Sequence, residues 1–196
     1  MKKLLIDAIS TSSGGAINHL KNILVDFNKQ KYFSKIDVYL PPTTRKLMPN
    51  IKNVNYVSPK IISKYLLLRI IWQIIFLNVI ILKNKYSCIF VTGSSHLIIT
   101  KPVVTISQNL LPFSPKEVKK YFFSFFYIKL KILYFTQKIS FKFSEGVIFL
   151  HKYSRYLILR KIGGIKGLNK IIAHGVKKFK KKKIYKKKKY KLIYFS

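Results

Sequence analysis

The sequence predicts an α/β fold, a parallel β-sheet with helices on both faces. Short apolar runs alternate with longer segments whose apolar residues recur at helical spacing, the rhythm of strands joined by crossover helices. The composition supplies a core for such a sheet. Of 196 residues 49% are hydrophobic and 15% aromatic, which excludes a disordered basic tail that could not offset chain entropy by burial. The length suits one domain of ordinary size.

The elements follow in order. Lys3 to Ile9 (KLLIDAI) reads as a buried strand, and Thr11-Ser12-Ser13-Gly14-Gly15 as the turn after it. Ile17, Leu20, Ile23, Leu24 and Phe27 then mark a helix to about Gln30. Residues 36–40 (IDVYL), stopped by Pro41-Pro42, and 53–58 (NVNYVS) give the next two strands. Ile61 to Leu82 is the most apolar stretch. Its longest uncharged piece, Ile70 to Leu82, has 13 residues and includes Gln73 and Asn78. That falls short of the roughly 20 needed to span hydrocarbon and reads as a buried core helix. Tyr86 to Val91 and Pro102 to Ser107 are strands, the second entering the loop Gln108-Asn109-Leu110-Leu111-Pro112-Phe113. One long helix is expected from Pro115 to about Phe143, with Lys120, Ser124, Lys131, Lys138 and Lys142 on a single polar stripe. Residues 146–150 form a strand, 153–161 a helix and 169–174 (NKIIAH) a strand ended by Gly175.

The charge is the most conspicuous number. There are 39 Lys+Arg against 5 Asp+Glu, a formal net charge of +34. Nucleic acid or an anionic membrane is the first reading of such a balance. Only Arg45, Arg69, Arg155 and Arg160 are arginines, however, and base readout favours the planar Arg fork over Lys, so specific nucleic-acid recognition is not expected. A non-enzymatic basic protein that binds bulk nucleic acid or anionic membrane stays as the alternative function. Residues 177–191 alone hold 11 Lys, and the abundance of Lys, Ile, Tyr, Phe and Asn together is what A/T-rich codons give. That segment reads either as a solvated linker or as an anchor for anionic lipid. A single cysteine, Cys88, excludes a disulfide framework. The start of the chain shows no signal-peptide pattern, because Asp7 interrupts the first apolar run.

Parallel sheets bind ligands at the carboxyl ends of their strands. The loops there carry Ser13-Gly14-Gly15, Ser94-Ser95-His96, Gln108-Asn109, His151 and His174-Gly175. The paired glycines let a backbone approach an anion at a helix N-terminus, and they serve a tight strand-to-helix turn equally well. They are neither a dinucleotide fingerprint nor a P-loop. The four histidines, 19, 96, 151 and 174, have no metal-ligand spacing and carboxylates are scarce, so no metal site is expected. Asp7 reads as a buried structural carboxylate and Glu117 as a first-turn helix residue. A Ser-His-Asp triad finds no Gly-x-Ser-x-Gly elbow. No catalytic residue is assigned.

Together these pieces resemble a known family. LIDAISTSSGGAINHLKNIL (5–24), CIFVTGSS (88–95), QNLLPFSPKEVKKY (108–121), SFKFSEGVIFLHKYSRYLI (140–158) and IIAHGVKKF (171–179) are similar, in order, to the N-terminal half of bacterial family 4 glycosyltransferases (glycosyl transferases group 1). The resemblance implies a Rossmann-like N-terminal domain of a GT-B fold over residues 1–176. A Lys-rich linker at 177–190 and the first strand of a missing donor domain at 191–196 would follow. It implies metal-free transfer, usually retaining, from a nucleotide-sugar to a lipid-linked glycan in surface-polysaccharide assembly (lipopolysaccharide or capsule). Ser13, Gly14 and Gly15 would form the loop facing the donor phosphates or acceptor. Ser94, Gln108 and Asn109 would line the acceptor cleft, with Gln where relatives often have His. His174 and Gly175 would lie at the interdomain crossover. Without the donor domain the chain alone is expected to lack transfer activity. A cytoplasmic enzyme peripheral to the inner leaflet is the corresponding localisation, with the Lys120–Lys142 stripe as its basic face.

Overall fold

The computed structural model describes residues 2–12, 14–59, 66–100 and 102–173. The expected linker at 177–190, the strand at 191–196, Ser13, and His174-Gly175 lie outside the described residues. Seven strands form one parallel sheet in the order β3-β2-β1-β4-β5-β6-β7. They are β1 (Lys3–Asp7), β2 (Lys35–Tyr39), β3 (Val54–Val57), β4 (Cys88–Val91), β5 (Val103–Ser107), β6 (Gly146–Phe149) and β7 (Leu168–Ile171). Each overlaps a stretch expected to be extended, β2 and β7 beginning one residue before it.

Alternation along β1 shows how the two layers of helices are recruited. Leu4, Ile6 and Ala8 point to one face, where they pack with Leu20 and Leu24 of α1 (Gly14–Gln30). Leu5 and Ile9 point to the other, against Trp72, Leu77 and Ile81. These last come from one helical rod made of α3 (Leu66–Trp72), a π-helical segment (Gln73–Leu77) and α4 (Asn78–Asn84). Phe141 of α6 (Phe125–Phe143) and Ile158 and Ile162 of α7 (Lys152–Ile162) pack with Val147 and Phe149 of β6. A short α2 (Pro42–Arg45) follows β2, and α5 (Pro115–Lys119) follows a 3-10 turn at Leu111–Phe113. The architecture is therefore α/β and Rossmann-like, with helices on both faces.

Three local expectations need correction. The single helix from Pro115 to Phe143 is two helices. Ser124 is extended (φ −123°, ψ 153°), its hydroxyl donates to Tyr121 O at 2.7 Å, and it accepts from Tyr127 N, capping a new helix. Lys120 and Ser124 thus leave the stripe, and only Lys131, Lys138 and Lys142 share a face of α6. Second, the helix begins at Gly14, so both glycines belong to its first turn and not to the loop before it. Third, the apolar stretch near 61–82 is helical from Leu66 but is not a buried core helix. Trp72, Leu77, Asn78 and Ile81 face the sheet while Ile71, Ile75, Phe76, Val79 and Leu82 are exposed. Two of its polar residues, Gln73 and Asn78, turn inward. Asn78 Nδ2 donates to Gln73 O, Ile74 O and Leu97 O, and its Oδ1 accepts from Ile99 N at 2.9 Å. Among the described residues no helix is long and apolar enough to cross a membrane.

Candidate functional site

The strand order reverses between β1 and β4. The chain leaves β1 toward β2 and leaves β4 toward β5, so the two following loops diverge and open a crevice between them. The crevice is anchored at its base. Thr92 N donates to Asp7 O at 3.0 Å, the Thr11 and Thr92 hydroxyls are 3.1 Å apart, and Thr44 Oγ1 donates to Thr11 O at 2.6 Å. The loops meet closely at Gly93, where a Cβ would stand 2.5 Å from Ser10 Oγ. The cleft above has a volume of about 440 Å³.

One wall is the start of α1, with Ser10, Ser12 and Ala16 lining the cleft. Gly14 and Gly15 are exposed, and a Cβ on either would meet nothing within 4 Å. Neither has positive φ. Packing and backbone conformation therefore do not require glycine here. What the missing side chains provide is room to approach the first-turn N–H groups, which carry the positive end of the helix dipole.

The opposite wall comes from the loops after β4 and β5. Ser94 is buried, and its hydroxyl donates to Ile106 O at 3.1 Å and accepts from Gln108 N at 3.0 Å. It holds the two loops together. Gln108 and Asn109 are exposed along the cleft, and Asn109 Oδ1 accepts from Leu111 N at 3.0 Å, fixing the turn. The structure thus brings Gly14, Gly15, Ser94, Gln108 and Asn109 to one end of the sheet. Helix α6 closes the side with Lys129, Thr136 and Gln137. Lys129 is the charged side chain among the described lining residues, and none of those residues is a carboxylate.

Beneath the cleft lie two buried polar locks. The Asp7 carboxylate accepts from Ile9 N at 3.1 Å and from Gln73 Nε2 at 2.6 Å. Burial raises its pKa from 3.8 to about 6 against the opposing effect of those hydrogen bonds. Gln73, which makes this bond, is the first residue of the π-helical segment. The second lock is His96. Its Nδ1 accepts from Ile98 N at 3.4 Å, which leaves Nε2 protonated and donating to Ser144 Oγ at 2.8 Å. Ser140 completes the lock, accepting from His96 N and lying within hydrogen-bond distance of His96 O. Burial lowers the His96 pKa from 6.5 to about 4, so the ring is neutral at pH 7 and both nitrogens are engaged. Sequence reasoning noted His96 only as a loop residue and Gln73 only as a polar interruption of an apolar run. Their partners lie 48 and 66 residues away, so spacing carries no signal for either.

The arrangement suits a ligand that is anionic at one end and rich in hydroxyls elsewhere. Among the described residues no group of three or more His, Cys, Asp or Glu side chains is placed to hold a metal ion.

No protein-family model and no curated protein matches the sequence. The fold does match a solved structure, the crystal structure of Anabaena Alr3699/HepE in complex with UDP and glucose. The superposition has a TM-score of 0.53 at 18% identity and covers 90% of this chain and 45% of that one. This chain therefore spans less than half the length of that protein, and at this identity the likeness shows the fold alone.

Proposed function

We propose that the chain is the acceptor-side domain of a glycosyltransferase of the family 4 type. It would act in moving a sugar from a nucleotide-sugar to a lipid-linked glycan acceptor of a bacterial surface polysaccharide. One observation carries the reading. Ser12 and Ala16, on either side of the open first turn at Gly14 and Gly15, line the crevice at the strand-order reversal together with Ser94, Gln108 and Asn109, and no carboxylate is among its described lining residues. The shared fold with a protein solved with UDP and glucose supports it, as does the order of the family-like segments.

In this reading the first-turn N–H groups at Gly14 and Gly15 take the donor diphosphate, where fixed dipoles stabilise negative charge as it develops on the leaving group. Gln108 and Asn109 offer amide donors and acceptors to sugar hydroxyls. Ser94 positions them by tying their loop to β4. Lys129 supplies positive charge at the rim. Metal-free chemistry follows the same logic, since amide dipoles and cations would do the work of a metal. The lipid on the acceptor keeps the reaction at a membrane surface, at the cytoplasmic side.

Titration of a panel of nucleotide-sugars against the chain tests the proposal. Saturable binding of at least one, weakened about tenfold or more in Gly15→Leu, is expected, because a side chain there obstructs the charge-assisted N–H contacts. Absence of binding across the panel, or binding indifferent to Gly15→Leu, contradicts it.

A further inference from the structure

The rod of α3 and α4 is apolar on its outward face as well as on the face that packs Trp72, Leu77 and Ile81 against the sheet. Gln73 and Asn78 point into the protein and are hydrogen-bonded there, while Ile71, Ile75, Phe76, Val79 and Leu82 face outward. A surface helix in water keeps its outward face polar. Helix α6 repeats the pattern beside it. At 100° per residue Phe125, Ile128, Ile132, Phe135, Ile139 and Phe143 fall within an arc of about 80°. All of these except the half-buried Ile132 are exposed. An apolar groove of about 410 Å³ lined by Ile74, Leu97, Ile98, Ile99, Ile139 and Phe143 joins the two helices into one face. At one end of α6 the capped corner at Ser124 projects four phenylalanines, of which Phe123 is 100% and Phe125 92% exposed.

Among the described residues the charges around this face are mostly lysines. Lys131, Lys138 and Lys142 run along one margin of the α6 stripe and Lys83 stands near the end of α4. Lys119, Lys120 and Lys129 flank the aromatic corner, and Glu117 before it is paired with Lys120 at 2.7 Å. Apolar patches of this extent mark interaction surfaces. A protein partner would be met by charges of both signs at the rim, whereas a lysine-rich rim whose Glu117 is already paired with Lys120 complements phosphate headgroups, with aromatic rings at the boundary between headgroup and acyl chain.

We propose that this face docks on the anionic leaflet of a bilayer, with Phe122, Phe123, Phe125 and Phe126 inserted at the interface and the marginal lysines on lipid phosphates. It relocates membrane contact from the Lys120–Lys142 stripe to an apolar face with a basic edge. The inference does not depend on the transferase reading, because its readout is membrane depth and not sugar chemistry.

The test uses the whole chain and vesicles of phosphatidylcholine with or without phosphatidylglycerol. The chain is expected to bind the anionic vesicles, and Phe123→Ser with Phe125→Ser to weaken binding on the order of a hundredfold. Both rings are exposed, so circular dichroism should be unchanged, and nucleotide-sugar binding should be unchanged as well. A Phe123→Trp variant should show a blue-shifted emission quenched by brominated acyl chains, against the buried background of Trp72. Equal binding by the double variant, or emission of Phe123→Trp that stays in the aqueous range on vesicles, would overturn the proposal. So would a dimer that the double variant converts to a monomer, which would assign the face to a second copy.

Discussion

Replacing Asp7 by Asn should stabilise the protein, and by an amount that depends on pH in a defined way. In the unfolded chain Asp7 ionises near 3.8, and in the fold near 6, because burial outweighs its hydrogen bonds to Ile9 N and Gln73. Between those pH values the native state binds more protons than the unfolded state, so stability falls as pH rises through the window and is level above it. At pH 7 the ionised carboxylate then opposes folding by about 3 kcal/mol. Asn approximates the protonated side chain, still accepts from Ile9 N, and pairs with Gln73 after that amide turns over. The variant should therefore gain about 3 kcal/mol at pH 7, or about 6–12 °C in Tm, and nearly nothing at pH 4. His96 has the opposite linkage. Its folded pKa of about 4 lies below the ordinary 6.5, so its contribution is lost as pH falls from about 6.5 toward 4. In the wild type the two slopes oppose each other between about pH 4 and 6. In Asp7→Asn the His96 slope stands alone, close to 1.4 kcal/mol per pH unit. Urea unfolding at several pH values reads both effects. A variant destabilised at pH 7, or stabilised equally at pH 4 and 7, would refute the reasoning.

Other predictions rest on single contacts. Asn78→Leu should destabilise by about 3 kcal/mol in urea melts despite its greater apolarity, since it strands Ile99 N and three carbonyls now served by one amide. Thr44→Val removes the buried donor to Thr11 O and should cost about 1–3 kcal/mol by the same measurement. Gly15→Ala should raise stability by about 0.5–1 kcal/mol, because the position is helical and open. If Gly15→Ala lowers stability instead, the glycine serves the fold rather than the ligand.

The sheet was legible because its strands are written twice, once as apolar runs and once as the polar or Gly/Pro stops that end them. Val103 to Ser107 and Gly146 to Phe149 are bounded in that way, and the order of such runs already implied a parallel sheet. The errors have one cause, which is that tertiary partners decide what local pattern leaves open. Nothing at Ser124 resembles a Gly or Pro break, yet a side-chain cap there divides the expected long helix. The apolar piece Ile70 to Leu82 was legible as a helix but not in its burial, because apolar composition does not state how much of a helix meets the protein. For the site, the loops after β1, β4 and β5 could be named from strand ends alone; Ser94, Gln108 and Asn109 line one cleft, and Gly14 and Gly15 stand at the same end of the sheet beside it. The locks beneath them, Asp7 with Gln73 and His96 with Ser144, depend on contacts across 48 residues or more and leave no trace in spacing.

The central claim is that the first turn of α1 and the crevice beside it receive a nucleotide-sugar. Amide chemical shifts of the 15N-labelled chain, followed during titration with uridine diphosphate sugars, test it most directly. The account predicts saturable shifts at Gly14, Gly15, Gly93 and Gln108 with one shared dissociation constant, while Gly163 at the far end of α7 stays fixed. No saturable change at the four cleft residues, or changes confined to residues away from the crevice, would contradict it.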